Sequence, residues 1–172
     1  MTGRIKAIAL DVDGVLTDGS FWWGPNGEEF KRFHFLDVMG IARAMQEGTR
    51  FALISGEDSP LVGRFAAKLH IDDVSAGCKD KAAALNLFAG RAGLDLTAIC
   101  FMGDDINDLA AMRLAGFAAA PANAHPLVQD QAALVTKRHG GAGAVRELID
   151  YLAGLGSISL SYATSVKRDE AV

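Results

Sequence analysis

The chain has 172 residues, half of them hydrophobic and 22% charged, with a formal net charge of -4. That is the size and composition of one globular domain, able to bury about 70% of the surface its unfolded chain exposes. No Lys/Arg cluster forms a basic face, which argues against a nucleic-acid partner, and no apolar run nears the ~18 uninterrupted residues of a membrane span.

Met1-Thr2-Gly3-Arg4-Ile5-Lys6 runs straight into an apolar stretch without a signal-peptide pattern, so a cytoplasmic protein is expected. Residues 5–10 are short and largely apolar and read as a buried parallel strand. It ends in Asp11-Val12-Asp13-Gly14. Alternation along an extended chain puts Asp11 and Asp13 on one side. Two carboxylates ~4 Å apart at an effective dielectric of ~20 repel by about 4 kcal/mol. Sharing a proton or binding a cation relieves this, and an oxygen-rich site favours Mg2+.

Next come two aromatic-rich runs around Pro25-Asn26-Gly27, a hairpin signal spanning about residues 19–35. Its tryptophans, Trp22 and Trp23, predict packing against another subunit rather than free exposure. A helix is predicted over 37–47, with Ile41, Ala44 and Met45 inward and Gly48 closing it. A second strand, 50–54, ends in Ser55-Gly56-Glu57. Ser59-Pro60 opens a helix whose buried stripe is predicted as Leu61, Phe65 and Leu69. A short strand at 73–75 and a helix at 79–92 follow, the latter burying Leu85, Phe88 and Ala89. The strand at 98–102 then repeats the opening design and ends in Gly103-Asp104-Asp105-Ile106-Asn107-Asp108. A helix at 108–114, a strand at 116–119, a helix from about His125, a strand at 133–136 and a helix at 142–155 complete the pattern. The last helix has Val145, Leu148, Ile149 and Leu152 at helical spacing. Cys78 and Cys100 have no metal or redox spacing and read as reduced, buried thiols.

Alternating strand and helix predicts an α/β fold, a doubly wound parallel sheet with helices on both faces, carrying a small hairpin flap and no cap domain. One domain over 1–156 and a mobile tail at 157–172 are expected. Ligands bind beyond the carboxyl ends of such strands, and Asp11, Ser55 and Asp104 all fall on that edge. Each piece alone has a plain structural reading: turn chemistry for Asp-x-Asp-Gly and Ser55-Gly56, a solvated lysine for Lys81, a helix cap for Asp108. A calcium loop counted from Asp104 fails, because its twelfth position is Ala115 where a bidentate Glu is required.

In this order the four pieces resemble the haloacid dehalogenase superfamily of phosphotransferases, over residues 5–150. Asp11-Val12-Asp13-Gly14 matches its first motif, Ser55 its second, Lys81 its third and Gly103 to Asp108 its fourth. The resemblance implies that Asp11 is the nucleophile that forms an aspartyl phosphate and that Asp13 is the general acid and base. It implies Mg2+ held by Asp11, Asp104 and the backbone carbonyl of Asp13. It further implies phosphate contacts from Ser55, Gly56 and Lys81, with Asp108 orienting Lys81 and Asp105 supporting the metal. A signalling receiver domain would need a phospho-accepting Asp where this chain has Ser55.

Neither intermotif gap holds a cap, and Gly14-Val15-Leu16-Thr17-Asp18-Gly19 resembles the capless branch acting on phosphorylated 3-deoxy-2-ulosonic acids. The implied substrate is a phosphorylated sugar acid such as 3-deoxy-D-manno-octulosonate 8-phosphate, and the implied assembly a homotetramer in which hairpins help close the sites. Leu36-Asp37-Val38 and Glu57 depart from the eight-carbon pattern. Glu57, with Lys68 eleven residues on, resembles relatives that act on nine-carbon acid phosphates. Glu57, Lys68 and Asn107 are therefore the expected substrate contacts, with a surface ion pair as the plain alternative for the first two. A non-catalytic tetramerisation module attached to a sugar-nucleotide synthetase is the alternative function, and the intact catalytic positions argue against it.

Overall fold

The computed structural model describes residues 4–160. Its core is a six-stranded parallel sheet of β1 (Ala7–Leu10), β4 (Arg50–Ile54), β5 (Asp73–Ser75), β6 (Ile99–Met102), β7 (Phe117–Ala120) and β8 (Leu134–Val135), in the order β5-β4-β1-β6-β7-β8. Two short antiparallel strands, β2 (Trp22–Trp23) and β3 (Glu29–Phe30), make the hairpin. From β1 the chain builds outward through β4 and β5, then returns to the other side of β1 and builds through β6 to β8. The reversal opens a crevice at the carboxyl ends of β1 and β6.

The central strands are buried on both faces, so they read as continuous apolar runs. Ile8, Leu10, Leu53, Cys100 and Met102 face α1 (Phe35–Gln46), α2 (Pro60–Leu69) and α6 (Ala144–Gly154). Ala7, Ala9, Ala52, Ile54 and Phe101 face α3 (Lys81–Ala92), α4 (Leu109–Leu114) and α5 (Pro126–Gln131). The small alanines on that second face leave room for the fully buried Phe88.

Caps set the helix starts. The Ser59 hydroxyl accepts the Leu61 N–H at 3.3 Å with Pro60 at the first helical position, as the sequence predicts. The buried face of α2 holds the predicted Phe65 and Leu69 together with Val62 and Ala66, while Leu61 is only half-buried. Helix α3 starts two residues later than predicted because the Asp80 carboxylate caps it, accepting the Ala83 N–H at 2.9 Å. Helix α6 starts at Ala144 because Gly141 and Gly143 both adopt positive φ. The buried Asp37 carboxylate accepts the Arg146 N–H there at 2.7 Å and so joins α1 to the amino end of α6.

Packing continues past the predicted boundary at residue 156. The Ile5 N–H donates to the Ser157 carbonyl, and Ile158 and Leu160 are buried in the core. The rest of the predicted tail, from residue 161, lies outside the described residues. Among the described residues no helix is long and apolar enough to cross a membrane.

Candidate active site

Strand pairing brings the two acid clusters together. Leu10 lies opposite Met102 in parallel register, so Asp11 and Gly103-Asp104 leave β1 and β6 at one edge. The Asp11 N–H extends the ladder onto the Met102 carbonyl at 3.0 Å. One carboxylate oxygen from each of Asp11, Asp104 and Asp108 lies within 4.8 Å of the others.

Lys81 crosses to this cluster from the first turn of α3. Its Nζ donates to Asp108 Oδ1 at 2.6 Å and lies 3.0 Å from Asp11 Oδ1, with its side chain only 2% exposed. The other Asp108 oxygen accepts the N–H groups of Asp104 and Asp105 at 3.0 and 3.2 Å. Asp108 therefore holds both the lysine and the loop that carries Asp104. Gly14 (φ +91°) is required at this point, because a Cβ there would land on the Asp104 carboxylate.

Charge at the cluster is unbalanced. Burial, then the Asp108 charge, raises the Asp11 carboxyl well above the ordinary carboxylate range, although Lys81 opposes both. Asp104 is pushed up to about 6 by the same two causes in the same order. Burial lowers the Lys81 ammonium, but the charges of Asp11 and Asp108 outweigh it and its pKa is raised. Three carboxylates thus face one ammonium. The deficit of two positive charges and the all-oxygen donor set fit a small divalent cation held by Asp11 and Asp104, with Asp108 already committed to Lys81 and the loop amides.

Asp13 is not one of these three acids. Its Oδ1 accepts from Lys31 Nζ at 2.6 Å and from the Thr17 hydroxyl at 3.3 Å. Its Oδ2 is shielded from solvent and has no hydrogen-bond partner. Ser55 is fully buried at the end of β4, and its hydroxyl accepts the Glu57 N–H at 3.2 Å. A Cβ on Gly56 would lie 3.7 Å from Asn107 Nδ2, so these two residues face each other across the crevice. Asp105 is exposed and its carboxylate accepts the Ile106 N–H at 2.8 Å, outside the three-acid group. Glu57 is exposed in its loop, and Lys68 is exposed on α2 beside a cavity of about 390 Å³ lined by Phe33, Phe35, Leu61 and Phe65. Among the described residues no ion pair joins Glu57 to Lys68.

Two contributors have no local signal in the sequence. One is Lys31, brought to Asp13 by the hairpin. The other is Asn123, whose Nδ2 donates to the Gly14 carbonyl at 3.0 Å while its Oδ1 accepts the Gly140 N–H at 2.6 Å. Asn123 so braces the loop after Asp13 against the segment before α6.

Residues 70–149 match the family of haloacid dehalogenase-like hydrolases. The chain is 38% identical over 149 residues to the 3-deoxy-D-manno-octulosonate 8-phosphate phosphatase of Escherichia coli K12, covering 87% of this chain and 79% of that one. It is 38% identical over 149 residues to the Haemophilus influenzae enzyme of the same name, covering 87% and 83%. Among solved structures it resembles the Moraxella catarrhalis phosphatase of that name in complex with magnesium, phosphate and KDO. The TM-score is 0.87 at 32% identity, covering 96% of this chain and 92% of that one. The cobalt-bound Haemophilus influenzae phosphatase gives a TM-score of 0.84 at 37% identity, covering 87% and 88%. This chain belongs to the haloacid dehalogenase-like hydrolases.

Proposed function

We propose that this haloacid dehalogenase-like hydrolase is a Mg2+-dependent phosphomonoesterase acting on a phosphorylated 3-deoxy-2-ulosonic acid such as 3-deoxy-D-manno-octulosonate 8-phosphate. The observation that carries the reading is the meeting of Asp11, Asp104 and Lys81 at one strand edge. Asp11 attacks phosphorus, the bond to the ester oxygen breaks, and an aspartyl phosphate forms. Asp13 gives its proton to the departing oxygen. It then takes one from the water that attacks the aspartyl phosphate, which releases phosphate and restores Asp11. Lys81, Ser55 and the Gly56 backbone hold the phosphoryl oxygens. Magnesium on Asp11, Asp104 and the Asp13 carbonyl would supply the positive charge that keeps both carboxylates ionised beside an anionic substrate. Asp105 would support that metal from the loop. The names of the relatives support the substrate class, and magnesium in the Moraxella structure supports the metal.

Glu57, Lys68 and Asn107 are the proposed contacts to the sugar acid. An anion at position 57 favours a second reading, the same chemistry on a nine-carbon acid phosphate, because it changes what a substrate carboxylate meets. Exposed Phe21, Trp22, Trp23 and Phe30 on the flap support a homotetramer, and the protein is proposed to work in the cytoplasm. The purified protein should release phosphate from these esters with Mg2+ and stop in EDTA, and Asp11→Asn should abolish turnover while keeping the fold. Turnover surviving in Asp11→Asn would sink the nucleophile assignment.

A further inference from the structure

Lys31 sits where three parts of the molecule meet. Its Nζ contacts Asp13 Oδ1 at 2.6 Å and Glu29 Oε1 at 3.2 Å, and its side chain is only 3% exposed. The other Glu29 oxygen accepts from the Ser59 hydroxyl, the cap of α2, at 2.8 Å. On the other arm of the flap, the Phe21 ring centroid lies 5.8 Å from the same ammonium. One cation thus links the loop after β1, both arms of the flap and the start of α2. A shielded pair of this kind is screened by salt far less than a surface pair and is fixed in geometry.

The pattern around Asp13 is asymmetric. Lys31 and Thr17 both donate to Oδ1, which leaves Oδ2 as the one oxygen without a hydrogen bond. Both donors approach Asp13 through the same oxygen, which fixes the rotation of its carboxyl group. We propose that Lys31 is a positioning residue that fixes the orientation of the Asp13 carboxyl for proton transfer and makes this orientation depend on the seated flap. The proposal rests on the reading of Asp13 as proton donor to the leaving group.

The test separates steps that need this proton from steps that do not. The specificity constant kcat/KM reports events up to release of the first product. A sugar alkoxide needs a proton to leave, whereas p-nitrophenolate departs as a stable anion. Lys31→Met should lower kcat/KM for 3-deoxy-D-manno-octulosonate 8-phosphate about 100-fold and for p-nitrophenyl phosphate less than about threefold. Lys31→Arg, which keeps the cation, should recover the sugar-acid ester to within about fivefold of the parent. Asp13→Asn should show the same leaving-group asymmetry. Asymmetry in Asp13→Asn with equal losses, or none, in Lys31→Met overturns the role of Lys31 and spares Asp13. No asymmetry in Asp13→Asn overturns both.

The flap has its own reporter, because both tryptophans of the chain, Trp22 and Trp23, lie on it. Acrylamide should quench their fluorescence more readily in Lys31→Met and in Asp13→Asn than in the parent. Quenching unchanged in both variants overturns the link to the flap. If Lys31→Met fails to fold, Lys31→Gln, which also removes the cation but keeps a polar side chain, carries both measurements with the same expected and overturning results.

Discussion

Lys81 Nζ lies 2.6 Å from Asp108 Oδ1, and Asp108 is fully buried. The pair is one half of a buried triad, since Asp11 Oδ1 sits 3.0 Å from the same ammonium. Removing one partner of a buried ion pair strands the other charge, which commonly costs about 3–5 kcal/mol. Lys81→Met should therefore lower stability by about that amount in the metal-free protein, read from urea midpoints. It should also cut kcat by at least about 100-fold. A loss of activity with unchanged stability would mean that the triad does not hold the site together.

Asp104 links stability to pH. Its folded carboxyl is raised to about 6, above its unfolded value, so between roughly pH 4 and 6 the folded chain binds more protons than the unfolded one. Stability from this residue is greatest below that window and falls as pH rises through it. Allowing for its partial exposure, the loss by pH 7 is about 2 kcal/mol. Metal-free Asp104→Asn should thus gain stability relative to the parent as pH rises from 4 to 7. Mg2+ should raise the melting temperature of the parent more at pH 7 than at pH 5, and that of Asp104→Asn hardly at all. Thermal scans across pH with and without Mg2+ check both signs.

Glycines at the edge should divide into two groups. A Cβ at Gly140 would collide with the Gly14 carbonyl, and one at Gly14 with the Asp104 carboxylate. Gly140→Ala and Gly14→Ala should each cost more than about 2 kcal/mol and lower activity at least tenfold. Gly56→Ala meets nothing nearer than 3.7 Å and should change stability by less than about 0.5 kcal/mol. Asn123→Ala breaks the brace between Gly14 and Gly140 and should fall between, at about 1–2 kcal/mol. Chemical denaturation of the four variants orders them.

Glu57→Arg should shift preference between eight- and nine-carbon acid phosphates without altering the Mg2+ requirement, because Glu57 is exposed and outside the acid cluster. A kinetic panel of the two esters reads the ratio of kcat/KM. An unchanged ratio would remove Glu57 from the substrate contacts.

Sequence by itself determined the sheet, the order of its strands along the chain, the Ser59 cap with Pro60 at the first helical position, and the acids and lysine that meet at the edge. These are local signals: apolar runs, turn residues and fixed spacings act over a few neighbouring residues. Tertiary structure alone decided that Asp13 pairs with Lys31, that Asn123 joins Gly14 to Gly140, that Val62 rather than Leu61 completes the buried face of α2, and that Ile158 and Leu160 close the core. Each depends on which segment of a distant element comes to rest nearby. A hydrogen bond or a packed methyl carries no trace in the residues beside it until the chain has folded around it.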